Sequence, residues 1–138
     1  MKIAGNTLLI LFFTVILLQA CTDKKAESNR LVKAGTIKLY QSDFHEALDD
    51  FLKAAEYNPK NAEAYFNIGN VYMNLMDYEK AIKYYTQAIQ IKQDYADAYY
   101  NRGMVQFYLG EYDLACDDWR MAEKYGKTNV TDRTRHCK

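Results

Sequence analysis

The residues able to do chemistry are few. Two histidines and three cysteines are present in 138 residues. His45 stands near the start of a helical stretch, and His136 in the tail beside Cys137. His136, Cys137 and Cys116 can be drawn as a metal site, but a fourth ligand is missing and so is the close ligand pairing such sites use. Cys116 and Cys137 fit better as an even pair in an exported chain. They are read either as a bridge that clamps the tail or as two free thiols with Cys116 a small core residue. The chain holds no glycine-rich phosphate loop, nucleophile elbow or HExxH. Glu79, Asp97 and Asp113 lie near helix starts, where the helix dipole favours a solvated carboxylate. The expectation is no enzyme, no metal and no cofactor.

Charge points the same way. Eighteen basic side chains balance eighteen acidic ones, and a nucleic-acid partner normally needs a basic face. Function is therefore expected on a surface that binds protein or peptide.

The elements that position such a surface repeat. Ala62 to Tyr95 is a 34-residue unit whose neighbours copy it without insertion or deletion. Gly35, Gly69 and Gly103 fall in step, as do Ala47, Ala81 and Ala115, and Ala54, Ala88 and Ala122. Phe44, Tyr78 and Tyr112 form one aromatic series, and Phe51, Tyr85 and Trp119 another. A fixed period of this size means a stacked helical repeat. Within the unit, Tyr65, Ile68, Gly69, Tyr72 and Leu75 share one face of a first helix. Tyr78, Ala81, Ile82, Tyr85, Ala88 and Ile89 share a face of a second. Asp77 can accept from the unpaired amides of that second helix. A mid-helix glycine costs about 1 kcal/mol against alanine, so its return in every unit implies close packing. Such a hairpin cannot cover its own apolar face and must stack on its neighbours.

On these residues the chain resembles the tetratricopeptide repeat family. In the middle unit the family pattern reads Tyr65, Ile68-Gly69, Tyr72, Ala81, Tyr85 and Ala88, with Gln93 in place of the closing proline. The first unit, 28–61, keeps Gly35, Ala47, Phe51, Ala54 and Pro59 but has Lys38 and Gln41 where apolar residues are usual. The third, 96–129, keeps Tyr99, Gly103, Leu109, Ala115, Trp119 and Ala122, with Arg102 and Gln106 as departures. The resemblance implies an all-α, right-handed solenoid of three helix hairpins, 28–61, 62–95 and 96–129, with 130–138 as a short tail or cap.

It also implies a concave groove lined by the first helix of each unit. Carried over, the lining is Asn29, Val32, Thr36, Leu39 and Tyr40; then Glu63, Phe66, Asn70, Met73 and Asn74; then Asp97, Tyr100, Met104, Phe107 and Tyr108. Core packing is not expected to explain these positions, so Tyr100 reads as a binding residue and Tyr85 as a core one. The family's basic clamp on a terminal carboxylate is not expected here, because Val32, Thr36, Asn67, Asp97 and Asn101 occupy its positions and only the asparagines match. A ligand read by its apolar side chains, with Asn67, Asn70 and Asn101 bonding its backbone, fits better. The tail, or another copy's helix, is the competing occupant.

The first twenty residues stand apart. Lys2 precedes an apolar run, Leu8 to Leu18, of signal-peptide length and short of the roughly 18 residues of a membrane span. Leu18-Gln19-Ala20-Cys21 resembles the bacterial lipobox, which implies a cleaved leader over 1–20 and a Cys21 carrying several acyl chains. Thr22 in place of an aspartate favours the outer membrane by the same resemblance. An uncleaved signal anchor is the alternative. Thr22 to Asn29 is polar, without an apolar stripe, and with Cys21 reads as lipidated cysteine and tether, 21–29; the eight residues after Cys21 reach about 25–30 Å when extended. The function expected is a non-catalytic, membrane-tethered adaptor or assembly factor of the bacterial envelope. A permanent scaffold subunit and a carbohydrate- or peptidoglycan-presenting accessory remain the alternatives.

Overall fold

The computed structural model describes residues 4–135 and 137, with side chains over 22–130, 132–135 and 137. Seven helices and no strand occur among them: α1 (Ala4–Tyr40), α2 (Phe44–Tyr57), α3 (Ala62–Asn74), α4 (Tyr78–Ile91), α5 (Ala96–Tyr108), α6 (Tyr112–Lys124) and α7 (Thr131–Thr134). The C-terminal part of α1 pairs with α2, α3 with α4, and α5 with α6, and each hairpin packs on the next. The expected all-α solenoid of three hairpins is what is found.

Close approach explains the glycines. A Cβ on Gly35 would lie 2.8 Å from the Phe51 ring, one on Gly69 2.6 Å from Tyr85, and one on Gly103 2.7 Å from Trp119. Each ring fills the notch that its glycine leaves, and the two alanine series are fully buried beside it. The turns inside the hairpins repeat as well. Ser42, Met76 and Gly110 all have positive φ, at 65°, 59° and 80°. The next amides, on Asp43, Asp77 and Glu111, donate back to Lys38, Tyr72 and Gln106 carbonyls at 2.9–3.0 Å. This satisfies carbonyls that a helix end would otherwise orphan. Asp77 then caps α4, accepting from the Lys80 amide at 3.3 Å.

The polar departures are answered in pairs. Lys38 meets Asp50 at 2.8 Å, and Arg102 holds both carboxylate oxygens of Asp118 at 2.7 Å. Tyr72 and Tyr84 take the corresponding place in the middle hairpin as rings stacked 5.5 Å apart. Gln106 is buried with its Oε1 unpartnered. Gln41 is exposed.

One expectation changes. Thr22 to Asn29 is not an extended tether, since α1 runs through it unbroken into the first hairpin. Adding turns to a helix already nucleated by packing is cheap, and Glu27 with Arg30 at 2.6 Å supports it. Ser28, fully buried, donates to the Ala54 carbonyl at 2.7 Å and accepts from Asn61 at 2.8 Å. Among the described side chains no helix is long and apolar enough to cross a membrane; the Leu8–Leu18 run and the Cys21 side chain lie outside them.

The tail follows the bridge reading rather than that of two free thiols. Val130 is fully buried. Cys116 and Cys137 are joined by a disulfide, their Cα atoms 5.6 Å apart. Val130 stands 34 residues after Ala96, and Cys137 34 after Gly103, so α7 stands in register with the start of the first helix of the preceding units.

Candidate functional site

Side by side, α1, α3 and α5 present the five rows of positions expected to line a groove. The rows differ in what they leave open. Val32 is not available at all: it is 3% exposed and belongs to the core. Phe66 packs 5.8 Å from the Tyr85 ring and 5.0 Å from the Tyr95 ring. Tyr100 lies beneath the tail, with the Arg133 guanidinium 5.7 Å and the Lys127 ammonium 5.2 Å from its ring. Arg133 Nε also donates to its hydroxyl at 3.1 Å. The expectation that packing does not need these positions is therefore wrong for Val32, Phe66 and Tyr100. Each is covered in part by the helix or segment that follows, because neighbouring first helices touch along this row.

The next row holds a polar network. Asn70 Oδ1 accepts from the Tyr85 hydroxyl and from Asn101 Nδ2, both at 2.8 Å. Asn70 Nδ2 donates to Asn67 Oδ1 at 3.4 Å. Asn67 Nδ2 and Asn101 Oδ1 have no protein partner among the described residues. One donor and one acceptor are thus left on the groove floor, the complement of a peptide unit. Burial pushes the Tyr85 phenol well above the usual tyrosine range, so it stays protonated and donates. Met73 Sδ lies 3.5 Å from the same hydroxyl. Met104 is half-buried against the Trp119 cluster.

The outer rows are open. Tyr40, Phe107 and Tyr108 are 87%, 42% and 54% exposed. Tyr108 stacks 5.9 Å from Tyr78, and Phe107 lies 5.7 Å from Trp119. Asn74 is exposed, its amide donating to the Asn70 carbonyl at 2.8 Å. At the other end of the helices Glu63 is exposed, and Asp97 is paired with Lys127.

The contribution of Tyr85 was missed. It reads as a core ring, and it is fully buried, yet its hydroxyl is wired to the groove floor. The available signal was the hydroxyl itself, since Phe51 and Trp119 fill the same place without one. Among the described residues no group of three His, Cys, Asp or Glu is placed to hold a metal. His45 is exposed at the start of α2, and His136 lies outside the described residues.

Sequence patterns described as tetratricopeptide repeat match residues 62–95 and 97–128, and one described as TPR repeat matches residues 35–75. No curated protein matches the chain. The first TPR domain of Spaghetti (RPAP3), bound to the HSP90 peptide SRMEEVD, is similar with a TM-score of 0.76 at 22% identity, over 80% of this chain and 90% of that one. The second TPR domain of the same protein, bound to the same peptide, gives 0.74 at 22% identity, over 78% and 98%. The Arabidopsis OM64 TPR domain gives 0.77 at 21% identity, over 81% and 94%.

Proposed function

For a chain that belongs to the tetratricopeptide repeat family, as its three successive repeats establish, we propose a non-catalytic role: holding an extended peptide segment of a partner protein in the groove of α1, α3 and α5. The observation that carries this is the asparagine network, with Asn67 Nδ2 and Asn101 Oδ1 unspent and exposed Phe107 and Tyr108 beside it. A fixed donor and acceptor suit a peptide backbone, and apolar side chains next to them suit its side chains. Two of the similar domains hold an HSP90 peptide, which supports a peptide over a folded surface. We further read the protein as a lipoprotein adaptor or assembly factor, acylated on Cys21 in a bacterial envelope. The lipobox-like Leu18-Gln19-Ala20-Cys21 supports that reading.

A photo-crosslinking residue placed at Asn74, beside the groove, tests the binding. The expected result is a discrete adduct from living cells that vanishes in the Asn70→Ala/Asn101→Ala double variant. A crosslinker at Glu56, away from the groove, serves as control. Adducts equal at both sites, or indifferent to the double variant, sink the groove reading. The anchor is tested separately by metabolic labelling with an acyl-chain probe: wild type should be marked and Cys21→Ala should not.

A further inference from the structure

The helical course of Thr22–Asn29 puts the start of the fold close to Cys21. Lys25 follows Cys21 by four residues, about 6 Å of helical rise, and the Ser28 bonds to Ala54 and Asn61 fix α1 to the stack just beyond. The edge reached there is the one where α3 and α5 begin and where α2 and α4 end.

A cleft of about 310 Å³ opens on that edge, and Lys25, Lys60 and Lys92 line it together with Asn29, Asn61 and Glu63. Among the described residues no carboxylate pairs with the three ammonium groups. Lys92 instead lies 4.8 Å over the Tyr95 ring. Three cations against one acid make the cleft suited to a phosphate. Acids stand elsewhere on this edge, Glu56 and Asp94 among them, so the attraction is local to the cleft. Beside it Tyr57 and Ile91, 46% and 38% exposed, end α2 and α4 at equivalent positions. Tyrosine and lysine together are the pair that sits well at a bilayer interface.

The opposite edge is different. Asp43, Glu46, Glu79, Glu111 and Asp113 gather at the turns inside the hairpins, where Lys80 is already paired with Asp77 and Lys38 with Asp50 and Glu46. An anionic surface is attracted at the cleft of the first edge and repelled by the second edge.

We propose that the edge carrying Lys25, Lys60 and Lys92 docks onto anionic phospholipid headgroups. A headgroup phosphate enters the cleft, Tyr57 and Ile91 rest at the interface, and the acidic turns point away from the bilayer. This rests on the acylation of Cys21, which delivers the edge to the membrane. Each lysine near an anionic surface is worth about fivefold in the docked-to-undocked ratio, and that gain falls with salt.

The test uses the full acylated protein, purified in detergent and reconstituted into vesicles of phosphatidylcholine, with or without phosphatidylglycerol, at low salt. Hydrogen exchange is followed at the α2–α3 and α4–α5 turns. Exchange at both should slow about tenfold or more in the anionic vesicles, more than two lysines' worth of attraction being available. The effect should disappear at high salt and in the Lys25→Gln/Lys60→Gln/Lys92→Gln variant, while the turns inside the hairpins stay unchanged. Acylated protein whose exchange ignores headgroup charge overturns the docking and leaves the anchor standing. An unmodified Cys21 by intact mass overturns the anchor, and the docking with it. Protection by soluble polyglutamate but not by anionic vesicles assigns the cleft to an acidic protein segment and also overturns the proposal.

Discussion

The second and third hairpins share a backbone and spend their side chains differently. In the second, the ring on α4 is a tyrosine: Tyr85 fills the notch at Gly69 and passes its hydroxyl to Asn70 on the groove floor. In the third, Trp119 fills the notch at Gly103 but donates to the Tyr100 carbonyl at 3.3 Å and lies 5.4 Å beneath the Arg133 guanidinium. Away from the groove, the second hairpin has Ile68 and the Tyr72–Tyr84 stack, where the third has Arg102, Gln106 and Asp118. Among the described residues the third hairpin is followed by the tail, and its polar side chains and that tail do what a following helix does for the second. A repeat position thus sets volume and contact, while the atoms at its tip decide whether it serves groove, core or cap.

Truncating the rings breaks this comparison most. Tyr85→Ala should cost about 3–5 kcal/mol as a buried aromatic and should also loosen the groove, whereas Tyr85→Phe keeps the volume and should cost only about 1 kcal/mol for the hydrogen bond. Chemical denaturation of both variants separates the two roles. A Tyr85→Phe loss as large as that of Tyr85→Ala would show that the hydroxyl, not the ring, carries the position.

Next in size is the ion pair. Asp118→Ala strands Arg102, whose side chain is 18% exposed, and should destabilise by about 3 kcal/mol. Grafting the second hairpin's answer, Arg102→Ile/Gln106→Tyr/Asp118→Tyr, should return stability to wild type within about 1 kcal/mol or exceed it, since packed apolar groups often replace a buried pair without loss. A grafted protein less stable than Asp118→Ala would mean the two hairpins are not interchangeable here.

Removing the bridge comes third. Cys116→Ser/Cys137→Ser opens a link spanning 21 residues and should lower stability by about 2–3 kcal/mol. Acrylamide should then quench Trp119, the one tryptophan of the chain and only 3% exposed with the tail in place. Quenching identical to wild type would mean Val130 and Arg133 hold the tail unaided. Tyr100→Ala should act in the same direction, because it removes the surface on which Arg133 and Lys127 rest.

The smallest effect sharpens the comparison at the turns. Met76 carries φ 59° where the third hairpin has Gly110 at 80°. Met76→Gly should stabilise by about 0.5–1 kcal/mol, relief of the left-handed backbone outweighing the added freedom of the unfolded chain. Gly110→Ala should destabilise by a similar amount. Thermal melts of the two variants moving in the same direction would contradict this.

The sequence by itself determined the period, the hairpins and the core. Glycine and aromatic residues recur every 34 positions because each hairpin makes the same close contact between its two helices, with the alanines buried beside it, and that constraint is written in residue size. The groove was legible only as a row of positions. Whether Phe66, Tyr100 or Asn70 is open there depends on what lies across from it, and those neighbours are some thirty residues away in the chain: Tyr95 over Phe66, Arg133 over Tyr100, Asn101 on Asn70. The course of Thr22–Asn29 was likewise settled by contact. These eight residues, polar but for Ala26, have no stripe that demands a helix, yet they become one because Ser28 and the first hairpin hold the helix they extend. Volume and period act along the chain and can be read from it. Exposure, hydrogen-bond partners and the fate of a polar segment are set across the stack, where tertiary structure alone brings the groups together.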